Sequence, residues 1–206
     1  MAKYFMLNKP MGYITARSDP RHRTVSELFP EELRDEIFPV GRLDKDTEGL
    51  LIFTDDGMLN HKLLSPENHI DKTYLFYAIG NVDRERFFEL ARGAEVFPGK
   101  DRITSPAVVK IIGETIIEDI SAILPPEFSP LARKKPKTLV TIGEITITEG
   151  KKHQVKHMVA YAGGKVVYLK RLAMGKLSLD EALEKGSYRP LSDEEISLLK
   201  NRTENV

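Results

Sequence analysis

The chain has 206 residues, a 41% apolar fraction, and 31 acidic against 31 basic side chains. That length holds one domain with a proper core or two small ones, and the neutral balance excludes a surface that binds polyanions on every side. Cysteine is absent, which excludes disulfides, thiolate metal sites and a cysteine nucleophile, and no apolar run approaches the roughly 18 residues of a membrane span.

In chain order, residues 4–7 form a short aromatic and aliphatic run, and Asn8-Lys9-Pro10-Met11-Gly12 stops it. A first strand is expected there, leaving through a turn with Lys9 at its exit. The polar segment 18–23 reads as a surface loop in which Arg17, Arg21 and Arg23 are placed to touch phosphates. Thr24, with Glu27 three residues on, makes a capping box for a short helix over 25–29.

The window Gly41-Arg42-Leu43-Asp44-Lys45-Asp46-Thr47-Glu48-Gly49 is a charge-dense loop running into the apolar Leu50-Leu51-Ile52-Phe53. Such a loop delivers polar groups to the end of a buried strand, with Asp44 the residue of most interest; ordinary turns are built from the same residue types. A helix is expected over 58–64, then a strand over 71–79 with Tyr74 and Phe76 on one face and Tyr77 and Ile79 on the other. Asp83 caps a helix through Arg92.

Strands are expected over 108–112 and 116–120. A proline-rich connection over 125–130 then leads into Arg133-Lys134-Lys135-Pro136-Lys137, read as an exposed arm. A half-buried strand covers 138–148, and an amphipathic helix covers 152–162 with Val155, Met158, Val159 and Ala162 at i, i+3, i+4 and i+7. Its other side carries Lys152, His153, Lys156 and His157. A last strand, 166–172, ends in Lys170-Arg171. Few short helices among many strands, in no regular βαβ order, point to an α+β fold on a mixed or antiparallel sheet.

Charge is uneven along the chain. Eleven Lys or Arg fall between Arg133 and Lys176 against two acids, Glu144 and Glu149, while 177–206 is acidic on balance. A basic half in a neutral protein suits a face that meets phosphates, and it equally suits a solvated charged surface. No metal is expected: only His153 and His157 share helical spacing, and Gln154 stands where a zincin carries its Glu.

Three ordered stretches, Asn8 to Tyr13, Gly41 to Leu51 and Glu149 to Lys156, resemble the bacterial ribosomal-RNA pseudouridine synthases, in the branch that contains the small-subunit enzyme. Lys72-Thr73-Tyr74, Arg171 to Gly175 and Gly186 to Leu191 extend the resemblance over essentially the whole chain. It implies a pseudouridine synthase fold with short helices flanking a largely antiparallel sheet and a central RNA-binding cleft. The catalytic domain would occupy 1–206, as one body or two subdomains sharing a sheet. The small ribosomal-protein-type RNA-binding module usual in this branch has no room before residue 8, and the 113–136 region is longer than the family usually has.

The reaction so implied moves the uracil of a uridine from an N1 to a C5 link with the ribose, consumes no external reagent and needs no cofactor. Asp44 maps onto the catalytic carboxylate, as nucleophile on C1′ or base at C2′. A carboxylate shut away from water protonates unless a cation is near, and Lys156 matches the family's basic partner. Tyr74 matches the aromatic that stacks on the target base, although strand aromatics are more often core. Arg42 is a candidate for the flipped-out neighbourhood, with Arg17, Arg21, Arg23, Lys151, Lys152, Lys170 and Arg171 as further RNA contacts and Lys9 another, although the resemblance implies a chiefly structural role for the motif that holds Lys9. The expected partner is ribosomal RNA or an assembly intermediate, met in the cytoplasm by a monomer without a membrane anchor. The alternatives are a non-catalytic RNA-binding protein on the same fold and a glycosidase-like hydrolase pairing Asp44 with Asp46 or Glu149.

Overall fold

The structure, a computed structural model, describes residues 2–97 and 103–200. The strands are β1 (Tyr4–Lys9), β2 (Phe38–Pro39), β3 (Thr47–Thr54), β4 (Lys72–Gly80), β5 (Val108–Ile116), β6 (Leu139–Ile147), β7 (Gly164–Met174), β8 (Leu177–Ser178) and β9 (Tyr188–Pro190). The α-helices are α1 (Glu31–Arg34), α2 (Gly57–Leu64), α3 (Arg84–Leu90), α4 (Ser129–Lys134), α5 (Gln154–Tyr161) and α6 (Asp193–Lys200). This is an α+β architecture on a mixed, largely antiparallel sheet. Among the described residues no helix is long and apolar enough to cross a membrane.

Two compact units divide the chain: Met1–Lys72 with Lys170–Val206, and Thr73–Leu169. In the first, the strand order is β7-β3-β1-β9, with β2 also on β3 and β8 on β7. Strand β3 is buried along its whole length, as its unbroken apolar run requires of a strand covered on both faces. Against it lies β1, antiparallel, with Lys9 opposite Gly49 and Asn8 opposite Leu50. Phe29 packs at 4.5 Å from Phe53 and 4.3 Å from Tyr188, which staples the segment after Thr24 and strand β9 to the central pair. On the core side, Leu50 and Ile52 meet Met6, Leu59, Leu63, Met174 and Leu199; burial of each such side chain contributes about 1.5–3 kcal/mol.

The second unit orders its strands β5-β6-β4-β7. Tyr74, Phe76 and Ala78 are buried on one face of β4, while Tyr77 and Ile79 pack on a cluster around Val140 and Val167. Asp83 caps α3 by accepting from Glu85 N at 2.9 Å. Gly143 is required opposite Phe76, because a Cβ there would stand 2.5 Å from the ring.

Two expectations need correction. A single strand, β5, replaces the two expected over 108–120; it is kinked by a bulge between Ile111 and Gly113. Ile117 and Ile120 reach the core from the turn that follows, so their apolar run carries burial without strand geometry. The basic arm, 133–137, is exposed as expected apart from the part-exposed Pro136, but its first two residues belong to α4, which buries Ala132 and packs Leu131 on the core just ahead of the arm, with Pro130 in the first turn where it needs no donor. Helix α6 went unforeseen although Ser192 and Glu195 form a capping box, with Ser192 N donating to Glu195 Oε2 at 2.9 Å and Glu195 N to Ser192 Oγ at 3.2 Å. The end of the acidic stretch, 201–206, lies outside the described residues.

Candidate active site

In the first unit the loop carrying Asp44 is tied down from three sides. Gly12 N donates to Lys45 O at 2.8 Å. Thr15 exchanges two bonds with Leu43, Oγ1 donating to its carbonyl at 2.8 Å and accepting from its amide at 3.0 Å. Lys9 supplies the third tie. Its side chain is wholly buried, and Nζ donates to the carbonyls of Thr47 (2.8 Å), Asp44 (3.0 Å) and Pro10 (3.1 Å). One ammonium thus closes the loop over Asp44 to Thr47, leaving the part-exposed Asp44 side chain on a held backbone.

Burial pushes the Lys9 ammonium down to about 8, against the pull of Asp46, Glu48 and Asp44. The folded protein releases that proton near pH 8, whereas the unfolded chain keeps it to about 10.5. Between these values the unfolded state binds more protons, so the Lys9 contribution to stability rises with pH. Lys9→Met lacks this rise and leaves three carbonyls without their donor, costing about 2–4 kcal/mol. Urea unfolding of both proteins is expected to show a gap that widens from pH 8 towards 10.5; a constant gap would mean that Lys9 does not titrate there.

Lys9 and Arg171 are corrected as RNA contacts. Neither reaches solvent: Arg171 is 2% exposed and its Nε donates to Leu50 O at 2.8 Å. Its backbone crosses Gly49 so closely that a Cβ on Gly49 would lie 2.2 Å from Arg171 O. Two further buried charges belong to this unit. Glu48 is paired with Lys185 at 2.7 Å. Lys72, 8% exposed, donates to Ile70 O at 2.8 Å, and burial followed by the nearby Arg171 guanidinium lowers it to about 8. The alternation of β4 puts Lys72 on the face of Tyr74, a signal readable from the Lys-Thr-Tyr spacing.

Arg42 is exposed on the loop, as are Arg17, Arg21 and Arg23 on their own segment, while Lys170 is part-exposed beside Gly49. Arg17 donates to Asp35 O at 2.7 Å and Arg23 lies 4.4 Å over the Tyr13 ring.

In the second unit Tyr74 is 9% exposed near the start of β4. Lys156 stands in the first turn of α5 and is part-exposed. That helix begins against local preference. Its N-cap, His153, adopts φ 55°, a left-handed angle that costs a non-glycine residue about 1–2 kcal/mol, and caps with no side-chain bond. Cations crowd the positive end of the helix dipole, which disfavours them by about 0.3–1 kcal/mol each. Lys151 donates to Ile103 O at 2.7 Å, pairs with Glu149 at 3.4 Å and lies over the Phe97 ring, so its charge is committed within the protein. Lys152 is exposed. Lys152→Ala is therefore expected to lower the slope of log affinity against log salt by about 0.7–0.9 for RNA; an unchanged slope would place the RNA on another face.

Among the described residues no group of three or more His, Asp or Glu stands where it could hold a metal ion. In the first unit, a buried cation under a presented carboxylate is an arrangement for acid–base or nucleophilic chemistry at Asp44. The sequence profile described as RNA pseudouridylate synthase matches residues 3–161. The chain belongs to the RNA pseudouridine synthase family. A Bacillus subtilis protein described as an uncharacterized RNA pseudouridine synthase is 44% identical over 95% of this chain and 72% of its own length. The Escherichia coli ribosomal small subunit pseudouridine synthase A is 37% identical over 95% of this chain and 73% of its own. A crystal structure described as pseudouridylate synthase superposes with a TM-score of 0.78 at 36% identity, covering 97% of this chain and 74% of that one. The matched residues, 3–161, include the loop, strand and helix described above.

Proposed function

We propose that this protein converts one uridine of ribosomal RNA, in the small subunit by preference, to pseudouridine. The reading is carried by the clamped loop: the fold commits a buried ammonium, a backbone bond from Gly12 and the Thr15 hydroxyl to holding the stretch that presents Asp44. The substrate class rests on relatives named for the small ribosomal subunit. Asp44 acts at the ribose, by attack on C1′ or by removing the C2′ proton; the N1 link breaks, the base turns and C5 takes its place. The C5 proton leaves and N1 gains one, so the product is an isomer. Tyr74 stacks on the target base and Lys156 supports the Asp44 carboxylate. Leaving the RNA stack costs the uridine a few kcal/mol, which Arg42 and the phosphate contacts of Arg17, Arg21, Arg23, Lys152 and Lys170 offset. The protein acts as a monomer in the cytoplasm, on ribosomal RNA or an assembly intermediate.

A map of pseudouridines in ribosomal RNA from a strain lacking the gene tests this reading. One small-subunit position is expected to disappear and to return with the wild-type gene but not with Asp44→Asn. A map unchanged in both subunits would overturn the ribosomal substrate.

A further inference from the structure

The start of α5 is built by an arrangement that no motif role explains. Gln154, the first residue of the helix, is 3% exposed, and its amide is held at both ends. Its Nε2 donates to Glu149 Oε1 at 2.6 Å and its Oε1 accepts from Lys151 N at 3.0 Å. The same Glu149 oxygen accepts from Ser105 N at 2.8 Å, so the carboxylate is itself anchored to the backbone ahead of β5. The usual device for a helix start is an N-cap oxygen, and His153 provides none. Here the side chain of the first helical residue reaches back instead and bonds the amide three residues before it.

This fixes more than the end of a helix. Successive helical residues turn by about 100°, so Lys156 points about 200° around the axis from Gln154. Burying Gln154 in one orientation therefore sets the direction in which Lys156 leaves the helix. We propose that Gln154, held by Glu149, is the positioning residue for Lys156, an inference that rests on the catalytic role assigned to Lys156 above. Neither Gln154 nor Glu149 touches substrate in this account; they act through the lysine. Charge is part of the device, because the bond from Gln154 to a carboxylate is stronger and shorter than one to a neutral acceptor.

The test is a double-mutant cycle read in single-turnover release of tritium from C5-labelled uridine in ribosomal-RNA transcripts. Gln154→Ala is expected to slow the step about 10- to 100-fold, the scale of a misplaced catalytic group. RNA affinity should change little. Added to Lys156→Met, it is expected to cost under about twofold more, because the group it positions is gone. A full, independent loss in the double mutant would mean a general structural role and overturn the inference. So would a fast Gln154→Ala beside a slow Lys156→Met, which would leave the reading of Lys156 standing. Lys156→Met at the wild-type rate would remove that reading and this inference together. If Gln154→Ala folds poorly, the exchange Glu149→Gln with Gln154→Glu serves instead. It keeps an acceptor for Ser105 N, an acceptor for Lys151 N and one bond between the two side chains. Gln154→Glu alone sets two carboxylates together and should be slow; the exchange is expected to recover the rate, and failure to recover would overturn the inference.

Discussion

Asp44→Asn is expected to lower turnover by at least about a thousand-fold, the upper range of what one acid–base or nucleophilic group contributes. RNA affinity should stay near the wild-type value. Asparagine keeps the shape of aspartate, and the bonds that hold the loop use the backbone. Lys9 Nζ and Thr47 N both donate to the Asp44 carbonyl, at 3.0 and 3.1 Å, and the substitution leaves that carbonyl in place. What is lost is the carboxylate, which alone can attack C1′ or take a proton from C2′. Single-turnover tritium release beside filter binding separates the two effects. Loss of affinity in step with turnover would mean that Asp44 binds RNA rather than performing chemistry.

Gly49→Ala carries the largest expected effect on stability, a loss of about 3–5 kcal/mol from left-handed strain and overpacking together. Gly49 has φ 101°, and a Cβ there would lie 2.2 Å from Arg171 O and 2.8 Å from Arg171 N. These are backbone atoms of the adjoining β7, so no rotamer change relieves the clash and the strands must part. Gly12 supplies the control. Its φ of 89° is also left-handed, but nothing lies within 4 Å of the Cβ position, so Gly12→Ala should cost about 1–2 kcal/mol. Equal urea midpoints for the two variants would contradict the close crossing at Gly49.

Much of the frame is legible in the sequence because it rests on local rules. The apolar run at Leu50 announces β3, alternation announces β4, and the spacing of Val155, Met158, Val159 and Ala162 announces the buried face of α5. Family membership is legible too, since the motifs quoted span the chain. The errors have physical causes. The arm over 133–137 is exposed as read, but two prolines at 125 and 126 and a third at 130 hide the short helix α4 that leads into it, whose Leu131 and Ala132 reach the core. In contrast, the Ser192 and Glu195 capping box was readable and marks the start of α6.

At the candidate site, the sequence ranks charged residues by motif and cannot tell a presented cation from a buried one. Lys9 and Arg171 look like phosphate contacts until their partners are known. Lys9 binds carbonyls 35 and 38 residues away, and Arg171 binds one 121 residues away. No local pattern encodes such distances. The same holds for Thr15 and Glu149, whose roles depend on Leu43 and Ser105.

Whether this chain isomerises uridine in ribosomal RNA is decided by tritium release from C5-labelled small-subunit transcripts by the purified protein, followed by sequencing of the modified position. Release of one equivalent at a single uridine, absent with Asp44→Asn, is the predicted result. No release from the RNA of either subunit, free or partly assembled, would contradict it.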